Sequence, residues 1–156
     1  MAHGVTKGFR DNLPLAASVV AYGSVLGVLA SQKGISWPEM LAMNLFVFAG
    51  SAQFVMVDMW GTAIPVVEMT LAVAVINLRY LLIAATLKPL FAGKSLLHKL
   101  TRMHLVSDEN WAVTMAVHRD AGADTRHLLG GGICILLFWS VGTLSGVGLG
   151  AGIRNP

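Results

Sequence analysis

Residues 65–87 read PVVEMTLAVAVINLRYLLIAATL, an apolar run of about six helical turns, roughly the length that crosses the hydrocarbon core of a bilayer. Asn77 and Arg79 sit near its middle. A guanidinium at that depth costs about 2.5–3.5 kcal/mol on insertion scales, so Arg79 is expected to face a bundle interior or a wet cavity. Glu68 precedes it by eleven residues, about 20° away on a helical wheel and roughly 16 Å along the axis. The two charges therefore share a face without pairing directly. Asn77 points roughly opposite to Arg79 in a regular helix, so both reach one ligand only if the helix unwinds locally. Arg79 is the first candidate for a functional residue.

The rest of the chain extends this signal. Of its 156 residues 55% are hydrophobic and only 12% charged, about half the charge of an ordinary soluble domain, and the mean hydropathy is +0.68. The charges gather at segment ends, the pattern of an all-α, polytopic transmembrane bundle. A net charge of +3 is too small to suggest nucleic acid and fits loop lysines and arginines facing a cytoplasm or anionic lipid. The single cysteine, Cys134, lies in an apolar run and reads as a small hydrophobe, with no intrachain disulfide possible. No A-x-A cleavage pattern follows the first apolar run, which reads as a retained span.

Four spans are expected, at about 13–31, 40–60, 65–87 and 127–149. Asn12 is placed to cap the first, with Pro14 in its opening turn. Gly23 and Gly27 give the spacing that lets helix backbones approach closely, as do Gly130–Gly132 and the glycines at 142, 146 and 150. Ser36 and Glu39 form a capping-box pattern beside an interfacial Trp37. In the second apolar run Asn44, Ser51 and Asp58 recur every seven residues, whereas Gln53 points away from Ser51. Either that helix is straight with two polar directions, or it breaks at Gly50-Ser51 into half-helices. Broken helices in transporters tend to carry substrate sites, because freed backbone groups need polar surroundings.

Residues 92–106 alternate Leu96, Leu97, Leu100 and Met103 with Lys94, His98, Lys99, Thr101 and Arg102, the signature of an interfacial amphipathic helix. Ser107 is placed to cap a short helix over about 108–119 whose first turn holds Asp108 and Glu109. His98, His104, His118 and His127 lie in or beside polar segments and read as solvated or interfacial. Positive-inside logic places both the N-terminal Lys7 and Arg10 and the basic residues 88–102 in the cytoplasm. Three full crossings between them would put them on opposite sides, a conflict that disappears if 40–60 is re-entrant; a re-entrant 108–119 would likewise keep Arg119 and Arg126 on the basic side.

Four ordered blocks carry a resemblance: Gly8-Phe9-Arg10-Asp11-Asn12-Leu13-Pro14, Phe48-Ala49-Gly50-Ser51-Ala52-Gln53-Phe54, Ile76-Asn77-Leu78-Arg79-Tyr80 and Ser107-Asp108-Glu109-Asn110-Trp111. Together they resemble the AzlC-type family, the large subunit of bacterial branched-chain amino acid exporters. The resemblance covers essentially the whole chain. It implies a multi-pass permease of the bacterial inner membrane that exports valine, leucine and isoleucine by secondary transport, with proton coupling and a small AzlD-type membrane subunit. No cofactor and no metal are implied. Two departures stand out. Family members run on for several more spans, so the chain reads as a truncated permease. The common histidine of the Asn-x-Arg-His block is Tyr80 here.

A branched-chain amino acid presents a carboxylate, an ammonium and an apolar tail. A site for it needs a cation or helix N-terminus, an acid or carbonyls, and an apolar pocket. Arg79 suits the carboxylate in bidentate geometry; its structural alternative is a bundle arginine paired to Asp58 or Glu68. Gln53, Gly50 and Ser51 offer amide and backbone groups, and Asn77 completes the substrate-binding candidates. Asp108, Glu109, Asp58 and Glu68 are the candidate acids for ammonium binding or ion coupling. Two other classes compete with a permease. A non-transporting structural or assembly subunit, or an inactive fragment, would use the same charges for packing. An intramembrane enzyme would need a nucleophile–base pair or a metal cluster, and the His, Cys, Asp and Glu residues are too scattered in sequence for either.

Overall fold

A computed structural model describes residues 3–154. Among them are eight α-helices: α1 (His3–Gln32), α2 (Trp37–Phe46), α3 (Gly50–Asp58), α4 (Val66–Asn77), α5 (Arg79–Leu87), α6 (Leu96–Met103), α7 (Asp108–Ala121) and α8 (Thr125–Arg154). A 3₁₀ turn, Lys88–Phe91, follows α5. Three stretches are long and apolar enough to cross a bilayer: Gly4–Gln32, Val66–Phe91 and Thr125–Gly152. The all-helical membrane architecture expected from the hydropathy pattern is present.

The chain forms two compact units. One combines the residues up to Ala17 with Tyr80–Leu137; the other combines Ser18–Arg79 with the residues from Phe138 onward. In the first, Ile83, Leu87, Leu90, Phe91, Val106 and Leu128 make a buried cluster against which Tyr80, Met103, Trp111 and Met115 pack. In the second, α1 and α8 meet along glycines. A Cβ at Gly27 would run into the backbone of Thr143, and one at Gly146 would meet the carbonyl of Ser24. Absence of a side chain on both helices lets the backbones touch, as the Gly23/Gly27 spacing predicts.

Asn12 does not cap α1, a correction to the sequence reading. The helix starts well before it, at His3, and carries Pro14 inside. Proline removes an N–H from the helical ladder. Here the turns ahead of it are kept helical by packing: Gly8 lies on the backbone of His127, and Gly130 on that of Val5 and Phe9. Asn12 is fully buried, and its Nδ2 donates to the Gly8 carbonyl at 2.8 Å.

Residues 40–60 do not form one straight helix. α2 and α3 have 10 and 9 residues, each shorter than the roughly 20 that span a bilayer. The break falls at residues 47–49, ahead of the expected Gly50-Ser51, which instead open α3. Phe48 adopts φ 39°, a left-handed conformation uncommon for an aromatic residue, and is held there by burial. The heptad stripe of Asn44, Ser51 and Asp58 is thereby dismantled: Asn44 is buried and Asp58 exposed. Residues 65–87 are interrupted as well, at Leu78, whose N–H turns back to the Val75 carbonyl at 3.2 Å.

α6 is shorter than expected, because Gly93 turns with φ 69° and Ser95 caps the helix by accepting from the His98 N–H. Leu96, Leu97 and Leu100 are exposed, the face an interfacial helix presents to lipid. α7 is capped as expected by Ser107, with Asn110 supplying the reciprocal bond to the Ser107 N–H at 2.7 Å.

Candidate functional site

The break between α2 and α3 is closed by side chains. Residues nine apart on a straight helix point to opposite faces, about 13 Å apart along the axis. Asn44 and Gln53 are nine apart, yet Gln53 Nε2 donates to Asn44 Oδ1 at 2.8 Å. The bend brings them together. Trp139 on α8 donates its indole N–H to Gln53 Oε1 at 3.0 Å, and Asn44 Nδ2 donates to Thr143 Oγ1 at 2.7 Å. Because indole is a donor only, it fixes the orientation of both amides in turn. Trp139 and Thr143 are four apart on α8 and so share a face. Gly50 leaves room for the Trp139 ring, since a Cβ there would stand a tight 3.2 Å from its edge. Tyr22 stacks between Phe54 and Trp139, at centroid separations of 4.7 and 6.0 Å.

Gln53 is thus fully buried and its amide is committed to protein partners. Its two nearest candidates differ. Gly50 and Ser51 form the first turn of α3, where backbone N–H groups lack helical acceptors. Ser51 Oγ is buried without a hydrogen-bond partner, and so is Asn77 Oδ1 at the end of α4. Arg79 opens α5 directly after the Leu78 interruption and is half-buried. Two helix breaks therefore stand beside the polar residues that the sequence singled out, and α3 packs against α4.

The candidate acids are more accessible. Glu68 and Asp58 are exposed, Asp108 is half-buried and Glu109 exposed. Asp58 and Lys33 sit on the rim of a cleft of about 350 Å³ walled by Leu29, Phe54, Val55 and Val57. Lys33 Nζ donates to the Asp58 carbonyl at 2.7 Å, placing a cation at the C-terminus of α3, where the helix dipole favours it. Arg79, Gln53, Asn77, Gly50, Ser51, Asp58 and Glu68 all belong to one unit, whereas Asp108 and Glu109 belong to the other.

His127 contradicts the expectation of a solvated histidine. It is 2% exposed. Its Nδ1 lies 3.0 Å from Thr114 Oγ1 and its Nε2 2.9 Å from Asp11 Oδ2, which also accepts from Lys7 Nζ at 2.7 Å. Asp124 caps α8 by accepting from the N–H groups of Arg126 and His127, and this sets the ring's position. Asn110 sits nearby in the same unit, donating to the carbonyls of Leu105 and Leu128 at 2.8 and 3.1 Å. Sequence reasoning missed Asn44, Trp139, Thr143, Asp11, Thr114 and His127. The Asp11–His127, Gln53–Trp139 and Asn44–Thr143 partners lie far apart along the chain, so no local spacing announced them; the available signal was polarity inside an apolar helix.

Comparison with known proteins agrees with this architecture. The family described as AzlC protein matches residues 14–153. Two relatives, each named an uncharacterized membrane protein, come from Helicobacter pylori strains J99 and 26695. Each is 26% identical over 116 residues, covering 71% of this chain and 50% of the relative. The chain spans about half the length of the curated relatives it matches. No solved structure matches it. A family match across nearly every helix, on a chain with three apolar helices of spanning length, makes this multi-pass membrane protein a member of the AzlC family.

Proposed function

We propose that the chain works in the bacterial inner membrane as a secondary transporter exporting valine, leucine and isoleucine, with a small AzlD-type membrane subunit as partner. The observation that carries this reading is the pair of helix breaks in one unit, flanked by buried polar atoms, Ser51 Oγ and Asn77 Oδ1, that have no protein partner. A buried polar atom left unpaired costs about 1–3 kcal/mol. Such a cost inside apolar helices makes sense where a polar solute or water arrives to meet it.

In this reading the substrate carboxylate is drawn to the Arg79 guanidinium and to the free N–H groups at the start of α3. The ammonium goes to carbonyls released at the end of α4, and the branched tail lies against the apolar helix walls. Gln53 acts on the site indirectly, by holding the α2–α3 bend through Asn44 and Trp139. The test is valine efflux from cells co-expressing the chain and its small subunit. Arg79→Ala is expected to abolish efflux, and Arg79→Lys to leave a small fraction, because an ammonium loses the bidentate geometry. Efflux unchanged in both variants would remove Arg79 from the site and favour a structural subunit.

A further inference from the structure

His127 is enclosed, and its surroundings accept it in two charge states. In the neutral ring Nε2 carries the proton and donates to the Asp11 carboxylate, while Nδ1 accepts from the Thr114 hydroxyl. A second proton on Nδ1 needs no heavy atom to move. The threonine hydroxyl turns from donor to acceptor, since its oxygen does both. Asp11 has a side chain 28% exposed, so the carboxylate on the Nε2 side of the ring reaches water, whereas Nδ1 faces fully buried Thr114.

Among the described residues the charged and titratable neighbours are few. α1 contributes Asp11 and Lys7, joined at 2.7 Å. α7 contributes neutral Thr114 and, one turn on, His118, whose Nδ1 lies 2.7 Å from the Ala123 carbonyl. The start of α8 contributes Asp124, bonded to backbone N–H groups, and exposed Arg126. On α6, His98 Nε2 lies 3.1 Å from Thr125 Oγ1.

We infer that His127 and Asp11 form a proton-binding site at which this membrane protein loads and releases one proton. Uptake moves one H⁺ from water to Nδ1, and the ring passes from neutral to +1 while Asp11 stays a carboxylate. Release returns the same proton. Gly8 of α1 lies on the backbone of His127, so the added charge acts where α1 and α8 touch. The inference deepens the transport reading by naming residues that would bind the proton, and rests on that reading only for flux.

Proton binding is measured without substrate. The full chain is labelled with ¹⁵N-histidine, placed in lipid nanodiscs and followed by NMR from pH 8 to pH 5. The His127 signals are assigned by their loss in His127→Gln and by elimination with His98→Gln, His104→Gln and His118→Gln. The expected result is conversion of His127 to imidazolium within this range. In Asp11→Asn the conversion is expected only at lower pH, the proton affinity falling about tenfold or more as the carboxylate is lost. A ring that stays neutral throughout, or one that Asp11→Asn leaves unchanged, overturns the site. Thr114→Val, which deletes the switching hydroxyl, replaces His127→Gln if that variant does not fold, and is expected to weaken proton binding.

The second arm follows valine flux driven by a pH gradient in vesicles holding the chain and its small subunit. His127→Gln is expected to lose the dependence on the gradient. A gradient response equal to wild type overturns coupling at His127. A wild type that moves no valine defeats the transport reading, and the NMR result then decides the proton site by itself.

Discussion

Each unit carries a side-chain polar network, and α8 contributes to both: Trp139 and Thr143 to one, His127 to the other. In one unit Asn44, Gln53, Trp139 and Thr143 join amides, an indole and hydroxyls, with no titratable group among them. Its bonds run in one direction because the indole can only donate. In the other unit Lys7, Asp11, His127 and Thr114 join two charges, an imidazole and a hydroxyl, and the ring can carry one proton or two. The first network holds a bent helix in place at any ordinary pH. The second can change its charge while its geometry is kept. Polar groups inside a membrane protein thus separate into fixed joints and adjustable ones, and the residue types decide which.

The largest effect is expected where both networks depend on close backbones. Gly27→Leu in one unit and Gly130→Leu in the other should each abolish folding, because the added side chain meets backbone, not a movable side chain. Loss of the monodisperse species on size-exclusion chromatography in detergent checks this. Next, Gln53→Leu strands the Trp139 N–H and the Asn44 carbonyl, at a cost of about 2 kcal/mol. Thermal unfolding at pH 5.5 and pH 7.5 should show the same loss at both, whereas Asp11→Asn should lose stability by different amounts at the two.

Smaller again is Ser107→Ala, which removes the cap of α7 and should cost about 1 kcal/mol, read from the same melts. The smallest effect concerns Glu39. Hydrogen bonds from the Ser36 hydroxyl and backbone N–H hold its carboxyl below the usual carboxylate range. A lowered folded-state value means the stabilisation is present above the unfolded carboxylate range and fades as the pH falls through the folded one. Glu39→Gln should therefore flatten slightly the acid limb of stability against pH, the small loss appearing at neutral pH and vanishing in acid. A steeper acid limb in the variant would contradict the capping geometry.

The helices, their apolar faces and several of their ends were legible in the chain itself. Of the four expected spans, 13–31, 65–87 and 127–149 fall on long apolar stretches while 40–60 is split into α2 and α3, Ser107 caps α7 as expected, and Gly23 and Gly27 announced a close helix contact. Arg79, Asn77, Gly50 and Ser51 were also singled out from sequence, and all four stand beside a helix break. These features are local: they depend on residues within a turn or two, where spacing and burial cost act directly.

What tertiary structure decided is who meets whom. Asp11 and His127 are separated by 116 positions, Gln53 and Trp139 by 86, and nothing in either neighbourhood names the other. Packing also overruled two local signals: it carried α1 through Pro14 past the cap expected at Asn12, and it moved the break in the second apolar run to Phe48. A proline or a strained φ costs a few kcal/mol locally. Helix contacts made along many residues offset that, so the final geometry is set by the sum of distant contacts and not by the nearest one.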